Sequence, residues 1–284
     1  MGGSALAGWL ILACDPNLPL TLHRDYCLPF KSESDQAGTL VIISSFSGNT
    51  EETLDAYRTA KEAKRPLIVV TSGGELLSRA RRDVVPYVVI PDAKIQPRLA
   101  VGYFLRALAL ITSAEAISQE LVSVDGHLDP TATETEARAI AHRLAGRIPL
   151  IYSSNRYGAV GYFWKIMMNE TAKLPAFANV LPEQNHNELA SFGGQSITSF
   201  SIIALTSPDD HPRVSRRFTL LGNILSSSGV TVETILLAGA SPTERVIRAI
   251  FLACFVALTL AEAREVDPSA VPVIENLKRQ LDGK

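Results

Sequence analysis

Apolar, β-branched runs alternate along the chain with stretches whose apolar positions recur every three or four residues. In the first half, "TLVIISS" (39–45) and "RPLIVVTS" (65–72) flank a helical stretch over 50–63, and "VVPYVVIP" (84–91) reads as a third strand. "RLAVGYFLRALALITSAEAIS" (98–118) predicts one long helix. A more polar stretch follows, with a helical run after Pro130. The style then repeats: "IPLIYSS" (148–154) precedes a helix over 159–173, and "FSIIALTS" (200–207) and "VTVETILLAG" (230–239) flank a helix over 212–227. Near-continuous apolar strands separated by helices predict parallel sheets covered on both faces. The expected fold class is α/β, with two three-layer α/β/α sandwich domains and mainly parallel sheets. The expected domains are 1–122 and 148–284, with 123–147 as linker and helix.

The first strand runs into Ser-Ser-Phe-Ser-Gly-Asn-Thr as a helix begins. A helix start carries unpartnered N–H groups and the positive end of the dipole, and phosphate is the usual anion placed there. Ser44, Ser45, Ser47 and Thr50 add hydroxyl donors, and Gly48 allows a tight turn and close backbone approach. The stretch reads as a phosphate cradle, against the plainer alternative of a capped helix. Four hydroxyls in seven residues exceed what a cap needs. Glu51 and Glu52, in the first helical turn, would repel a dianion if they faced it, so they are expected to point outward or toward a partner subunit. The second copy of the unit reads "LTSPDDHPR", with one Ser, no Gly and two acids, which leaves only the first copy fit for phosphate.

Composition narrows the class. The chain has 284 residues, is 46% hydrophobic and 20% charged, and carries a net charge of −2. That balance gives no electrostatic footprint for nucleic acid or an anionic membrane. Cys14, Cys27 and Cys254 are widely spaced and fit no disulfide or metal framework, so a reducing, cytoplasmic location is expected. The opening "SALAGWLILAC" lacks a basic region before it, unlike a signal peptide. The longest apolar run, Ala249 to Ala261, has thirteen residues, too few to span a bilayer. It is expected as a buried helix, and a subunit interface is one place for it.

Among candidate chemical groups, Glu170 follows Phe163, Ile166 and Met167 by seven, four and three residues, so it shares their helix face. An apolar face disfavours the charged form of a carboxylate, which suits a general base; the alternative is an exposed acid near a helix end. His186, sixteen residues later in "EQNHNEL", is of a type suited to proton delivery near neutrality. Glu183 and Glu188 flank it as rival bases. Arg98, after Pro97, is a permanent cation able to stabilise developing negative charge, or a surface arginine. Lys278 sits between Ile274 and Leu281 at the edge of an apolar stripe, where a lysine commonly snorkels. The five histidines show no metal-ligand spacing, so neither metal nor cofactor is expected.

Four motifs, in order and covering nearly the whole chain, resemble one family. "SSFSGNTEET" is similar to the phosphosugar-binding loop of the SIS (sugar isomerase) superfamily. "PRLAVGYFL", "MMNETAKLPAF" with "LPEQNHNEL", and the closing "VPVIENLKRQL" resemble the bifunctional phosphoglucose/phosphomannose isomerases. That family usually has a leading helix and strand before a Gly-Gly-Ser turn, whereas this sequence starts at "MGGSALAG", on that turn. The resemblance implies two SIS domains and interconversion of glucose 6-phosphate, and of mannose 6-phosphate, with fructose 6-phosphate through an enediolate. It implies Glu170 as the base, His186 reaching the neighbouring subunit's site in a homodimer, Lys278 near the ring oxygen, and Arg98 at the enediolate. Gly3, Ser4, Ser45, Ser47 and Thr50 are the implied substrate-binding residues. Ser269, in "DPSAV", stands where the family carries a hydroxyl linked to mannose-epimer use. The resemblance implies no metal. Two other readings stay open: a phosphosugar-sensing module without catalysis, and an isomerase of a pentose or aminosugar phosphate.

Overall fold

Among the described residues every strand pairing is parallel, in one sheet ordered Val41–Ser45, Leu67–Thr71, Tyr87–Val89 and another ordered Phe177–Leu181, Ile148–Ser154, Phe200–Thr206, Thr231–Leu236. The structure is a computed structural model that describes residues 2–29, 38–192, 199–225 and 228–281. The chain divides into two compact units, Met1–Ser123 and Val124–Lys284.

The first unit runs α1 (Gly2–Cys14), β1 (Val41–Ser45), α2 (Glu51–Glu62), β2 (Leu67–Thr71), α3 (Gly74–Arg82), β3 (Tyr87–Val89), a 3₁₀ turn at Pro97–Ala100, α4 (Val101–Ile111) and α5 (Glu115–Ser123). Side chains alternate across a strand. Ile43 and Val69 therefore pack with Ala56, Tyr57, Ala60, Leu76 and Ala80 of α2 and α3. Ser44 turns the other way, where its hydroxyl donates to the Ser4 carbonyl of α1 at 3.4 Å. Helix α1 packs on α4.

The helix expected over 98–118 is broken. Ser113 adopts a left-handed φ of 56°. Its N–H donates to Leu110 O at 3.2 Å and the Ala114 N–H to Ala109 O at 2.8 Å, the Schellman pattern that ends a helix. The Thr112 hydroxyl bonds back to Leu108 O at 2.8 Å. Apolar periodicity continues through this break and hides it.

The second unit runs α6 (Pro130–Leu144), β4 (Ile148–Ser154), α7 (Gly158–Glu170), β5 (Phe177–Leu181), 3₁₀ turns at Glu183–His186 and Glu188–Phe192, β6 (Phe200–Thr206), α8 (Pro212–Leu225), β7 (Thr231–Leu236), α9 (Pro242–Ala263) and α10 (Pro272–Leu281). Residues 226 and 227 of the expected helix 212–227 lie outside the described residues. Helix α6, in the stretch read as linker, packs on α9. Leu150, Tyr152, Ile202 and Ala204 face Phe218, Leu221 and Leu225 of α8. Ile151 and Ser153 face the opposite side, against Gly161 of α7. Helices thus cover both faces of the sheet.

Helix α9 is longer than the apolar run within it. Pro242 at its first position and the Ser241 cap, which accepts the Glu244 N–H at 3.1 Å, start it seven residues early. By length and composition its 22 residues could cross a membrane. Buried positions 246, 249, 250, 253, 256, 257, 260 and 261, with 243, 245 and 252 also buried, form a broad stripe, and the helix packs against α6 and α7.

One pH-sensitive contact ties α2 to the end of α3. The buried Tyr57 hydroxyl donates to Asp83 Oδ2 at 2.9 Å. Burial first, then that carboxylate, pushes the phenol from 10.0 up to about 12. The folded state therefore holds this proton more tightly than the unfolded chain, and stability present below pH 10 is lost as pH rises toward 12. Denaturant midpoints measured across this window should fall in the wild type and fall less steeply in Tyr57→Phe.

Candidate functional site

The hydroxyl-rich loop leaves β1 at its carboxyl end and enters α2. Ser45 is buried, and its Oγ lies 2.9 Å from Thr50 Oγ1 and accepts the Gly48 N–H at 3.2 Å. Ser47 Oγ is exposed and accepts the Asn49 N–H at 3.3 Å. Thr50 is the N-cap residue of α2, but its side chain makes no cap hydrogen bond to the helix.

This loop is locked onto a second one, which the sequence reading passed over. Ser72 donates to the Phe46 carbonyl through both its N–H, at 3.1 Å, and its Oγ, at 2.6 Å. The Glu75 N–H donates to Asn49 Oδ1 at 2.9 Å, and the Leu76 N–H to Gly48 O at 2.9 Å. Gly48 has φ +68°, and a Cβ there would lie 1.9 Å from the Gly73 carbonyl oxygen. Glycine is thus required both by backbone conformation and by the close approach. The Gly73-Gly74 pair directly after a predicted strand was the available signal for this turn.

Arg98 lies in the Pro97–Ala100 turn and is 4% exposed. Gly3 seats that turn against α1, since a Cβ on Gly3 would lie 2.7 Å from the Pro97 carbonyl. Ser4 is buried and donates to the Ser44 carbonyl at 3.3 Å, tying the start of α1 to the end of β1. Gly3, Ser4, Arg98 and the 45–50 loop thus belong to one connected part of the first unit. A cavity of about 520 Å³ runs beside β1, and its lining includes Ser4, His23, Arg24, Asp25, Ser44 and Glu52.

In the second unit, Glu170 is the last residue of α7 and is half-buried, while Phe163, Ile166 and Met167 below it are buried. The chain after it is fastened: Thr171 and Ala172 are buried, Asn169 Nδ2 donates to Leu174 O at 3.0 Å, and the Lys173 amine donates to the Glu170 carbonyl. Arg264, just past α9, donates to the Ala172 carbonyl at 3.2 Å. The segment leading to Ser269 and Lys278 therefore departs from the edge of the unit that carries Glu170. The Ser269 hydroxyl donates to Asp267 Oδ1 at 2.6 Å, and that bond leads the causes holding the Asp267 carboxyl below its ordinary range. Lys278 is exposed on α10, a helix with no buried residue.

His186 is exposed in the turn after β5. Helix α7 runs back against the strands, so Glu170 lies toward the start of β5 and His186 beyond its end. Five strand residues at about 3.3 Å each put them roughly 17 Å apart along the sheet. The second unit of one chain does not bring them together. Glu188, the rival base, accepts from Tyr152 Oη at 2.6 Å and from Asn179 Nδ2 at 2.7 Å, and Glu183 is exposed beside Asn187.

The "LTSPDDHPR" loop already contains an anion of its own. Asp209 Oδ2 accepts from Arg245 Nη1 at 2.7 Å and from Tyr157 Oη at 2.7 Å, with Arg156 Nη1 at 4.0 Å. Beside it, burial raises the Asp210 carboxyl. Among the described residues, no group of three His, Cys, Asp or Glu side chains is arranged to hold a metal ion.

Residues 133–281 match the family described as the bacterial phospho-glucose isomerase C-terminal SIS domain. The chain is 34% identical to a bifunctional phosphoglucose/phosphomannose isomerase of Caldicellulosiruptor bescii, over 99% of this chain and 87% of that protein. It is 33% identical to a D-glucosamine-6-phosphate 4-epimerase of Sulfolobus acidocaldarius, over 73% of this chain and 67% of that protein. In fold it is similar to the C-terminal domain of a glucosamine-fructose-6-phosphate aminotransferase from Francisella tularensis, with a TM-score of 0.72 and 13% identity over 95% of this chain and 84% of that one.

The interlock of the two loops has a measurable cost when disturbed. Gly48→Ala should destabilise the protein by about 1–3 kcal/mol from backbone strain alone. Gly222→Ala, in α8 where a Cβ meets nothing within 4 Å, should be neutral or stabilising. Chemical denaturation of both variants checks this, and equal stability would mean that the loops do not depend on the close approach.

Proposed function

We propose, proceeding from the fact that the chain belongs to the bacterial phospho-glucose isomerase family, that it interconverts glucose 6-phosphate and mannose 6-phosphate with fructose 6-phosphate. The observation that carries this reading is the near-full-length likeness to a bifunctional isomerase, with the hydroxyl loop and Glu170 both held in place by the fold. The phosphate is taken by Ser45, Ser47, Thr50 and the start of α2, with Gly3 and Ser4 shaping the same region. His186 and Lys278 serve ring opening at the ring oxygen. The Glu170 carboxylate takes the C2 proton of the open aldose and returns it to C1, and Arg98 stabilises the enediolate formed between the two steps. Ser269 stands near the Glu170 edge as a candidate for epimer choice. A cytoplasmic homodimer with shared sites fits this chemistry, because one chain holds Glu170 and His186 at opposite edges of a sheet.

A second reading, a 4-epimerase of an aminosugar phosphate, is favoured by the likeness to the Sulfolobus protein. Separate coupled assays with glucose 6-phosphate, mannose 6-phosphate and glucosamine 6-phosphate discriminate the two.

The two halves of the chemistry should separate by mutation. Glu170→Gln keeps shape and hydrogen-bonding reach but removes the basic oxygen. Turnover and exchange of the C2 hydrogen with heavy water should both fall by at least about 10²–10⁴-fold. Titration calorimetry should show its affinity for fructose 6-phosphate nearly unchanged. Ser47→Ala with Thr50→Ala should instead weaken binding by about 1–3 kcal/mol per lost hydrogen bond to the charged phosphate. Retained turnover in Glu170→Gln would remove it as the base.

Shared sites predict complementation. Glu170→Gln and His186→Ala, each strongly impaired but measurable alone, should regain part of wild-type turnover when unfolded and refolded together, because mixed dimers contain one site with both groups intact. Sedimentation checks the dimer, and an active monomer would overturn the arrangement.

A further inference from the structure

We infer that Glu188 is a positioning residue that holds His186 in its working orientation, a role resting on the isomerase reading above. His186 sits on a 3₁₀ turn of four residues, an element too short and too poorly bonded to fix a side chain by itself. Two residues before it, Gln184 is fully buried. Two residues after it, Glu188 is half-buried. Glu188 meets the hydroxyl of Tyr152, a residue that is 1% exposed. That hydroxyl donates to Glu188 Oε1 at 2.6 Å. Burial and the Glu188 carboxylate push the phenol well above its ordinary range, so it remains a donor at any working pH.

The second carboxylate oxygen, Oε2, accepts from Asn179 Nδ2 at 2.7 Å. Tyr152 and Asn179 are direct partners in the register of β4 and β5. One carboxylate therefore bridges two paired strands, with each oxygen committed to one of them. Arg217 of α8 adds a further hold, donating to Asn185 Oδ1 at 3.1 Å. The backbone on both sides of His186 is thereby anchored to the sheet while the imidazole stays exposed. The same geometry removes Glu188 as a rival base, since both of its oxygens are engaged inside the fold.

Glutamine can keep this bridge: its oxygen accepts from Asn179 and its amide donates to the Tyr152 oxygen. Alanine cannot. Glu188→Ala should lower kcat roughly 10–100-fold, the cost of a displaced catalytic group, while Glu188→Gln recovers most of it. KM for fructose 6-phosphate should stay within about 2-fold in both, because the phosphate loop is untouched. In a His186→Ala background, Glu188→Ala should cost nothing further. Amide hydrogen exchange over residues 183–192 should rise in Glu188→Ala and in Tyr152→Phe but not in Glu188→Gln. An equal loss of kcat in both backgrounds, or a glutamine variant as poor as alanine, overturns the positioning role. Unchanged exchange in Glu188→Ala overturns the tether itself. A wild-type protein that turns over no sugar phosphate overturns the functional reading instead, and the exchange measurement still decides the tether.

Discussion

Parallel pairing obliges the helix between two strands to run back against them. Much of the second unit's chemistry follows from that constraint. Helix α7 starts at the carboxyl end of β4, so Glu170, at its far end, is delivered to the opposite edge of the sheet. His186 follows β5 and is delivered to the carboxyl-end edge. A proton-transfer site works at separations of about 3 Å, and no side-chain rotation closes the length of a strand. In the proposed reaction a second copy of the chain is the natural source of the missing edge. The arrangement also explains why Ser269 and Lys278 occur so late in the chain. Helix α9, like α7, runs back against the strands, and Arg264 at its exit bonds the Ala172 carbonyl just past Glu170.

The two units apply one design to opposite ends. In the first, the loop after β1 presents hydroxyls and a helix start with no side-chain cap, an arrangement receptive to an anion. In the second, the corresponding loop after β6 carries Asp209, and Arg245 and Tyr157 already grip its carboxylate. A permanent carboxylate there satisfies the second unit's own cation. In the proposed reading, the divergence between the copies amounts to which side supplies the negative charge.

Much of this was legible in the sequence. Apolar runs read as strands land on β1, β2, β3, β4, β6 and β7, and most clearly on β2, β4 and β6, where near-continuous burial leaves a strong pattern. β5 was missed: "FANVL" is short and largely exposed, and its role in the sheet comes from pairing with β4, which local composition does not encode. The break at Ser113 was missed because its bonds are made by backbone groups while the apolar spacing runs on. At the site, residue types pointed to Glu170, His186 and the hydroxyl loop. Their distribution over two edges of a sheet is tertiary information. So is the commitment of Glu188, whose partners Tyr152 and Asn179 lie 36 and 9 residues away in sequence.

The start of α2 shows how a helix end is kept available for an anion despite two acids in its first turn. Thr50 is of a type that ordinarily caps, but its hydroxyl pairs with Ser45, so the first-turn N–H groups keep no side-chain acceptor from it. Glu51 and Glu52 would be welcome at the dipole and would compete with phosphate for it. Glu51 lies beside the phenol of Tyr26, whose titration is raised by desolvation and then by these two carboxylates. Glu52 lines the cavity along β1 instead. Both acids thus have surroundings other than the loop. In the proposed reading, the positive end of the helix is left to the loop's hydroxyls, neutral donors that would hold a dianion less tightly than an arginine pair. A cradle of that kind suits a substrate that must leave after each turnover.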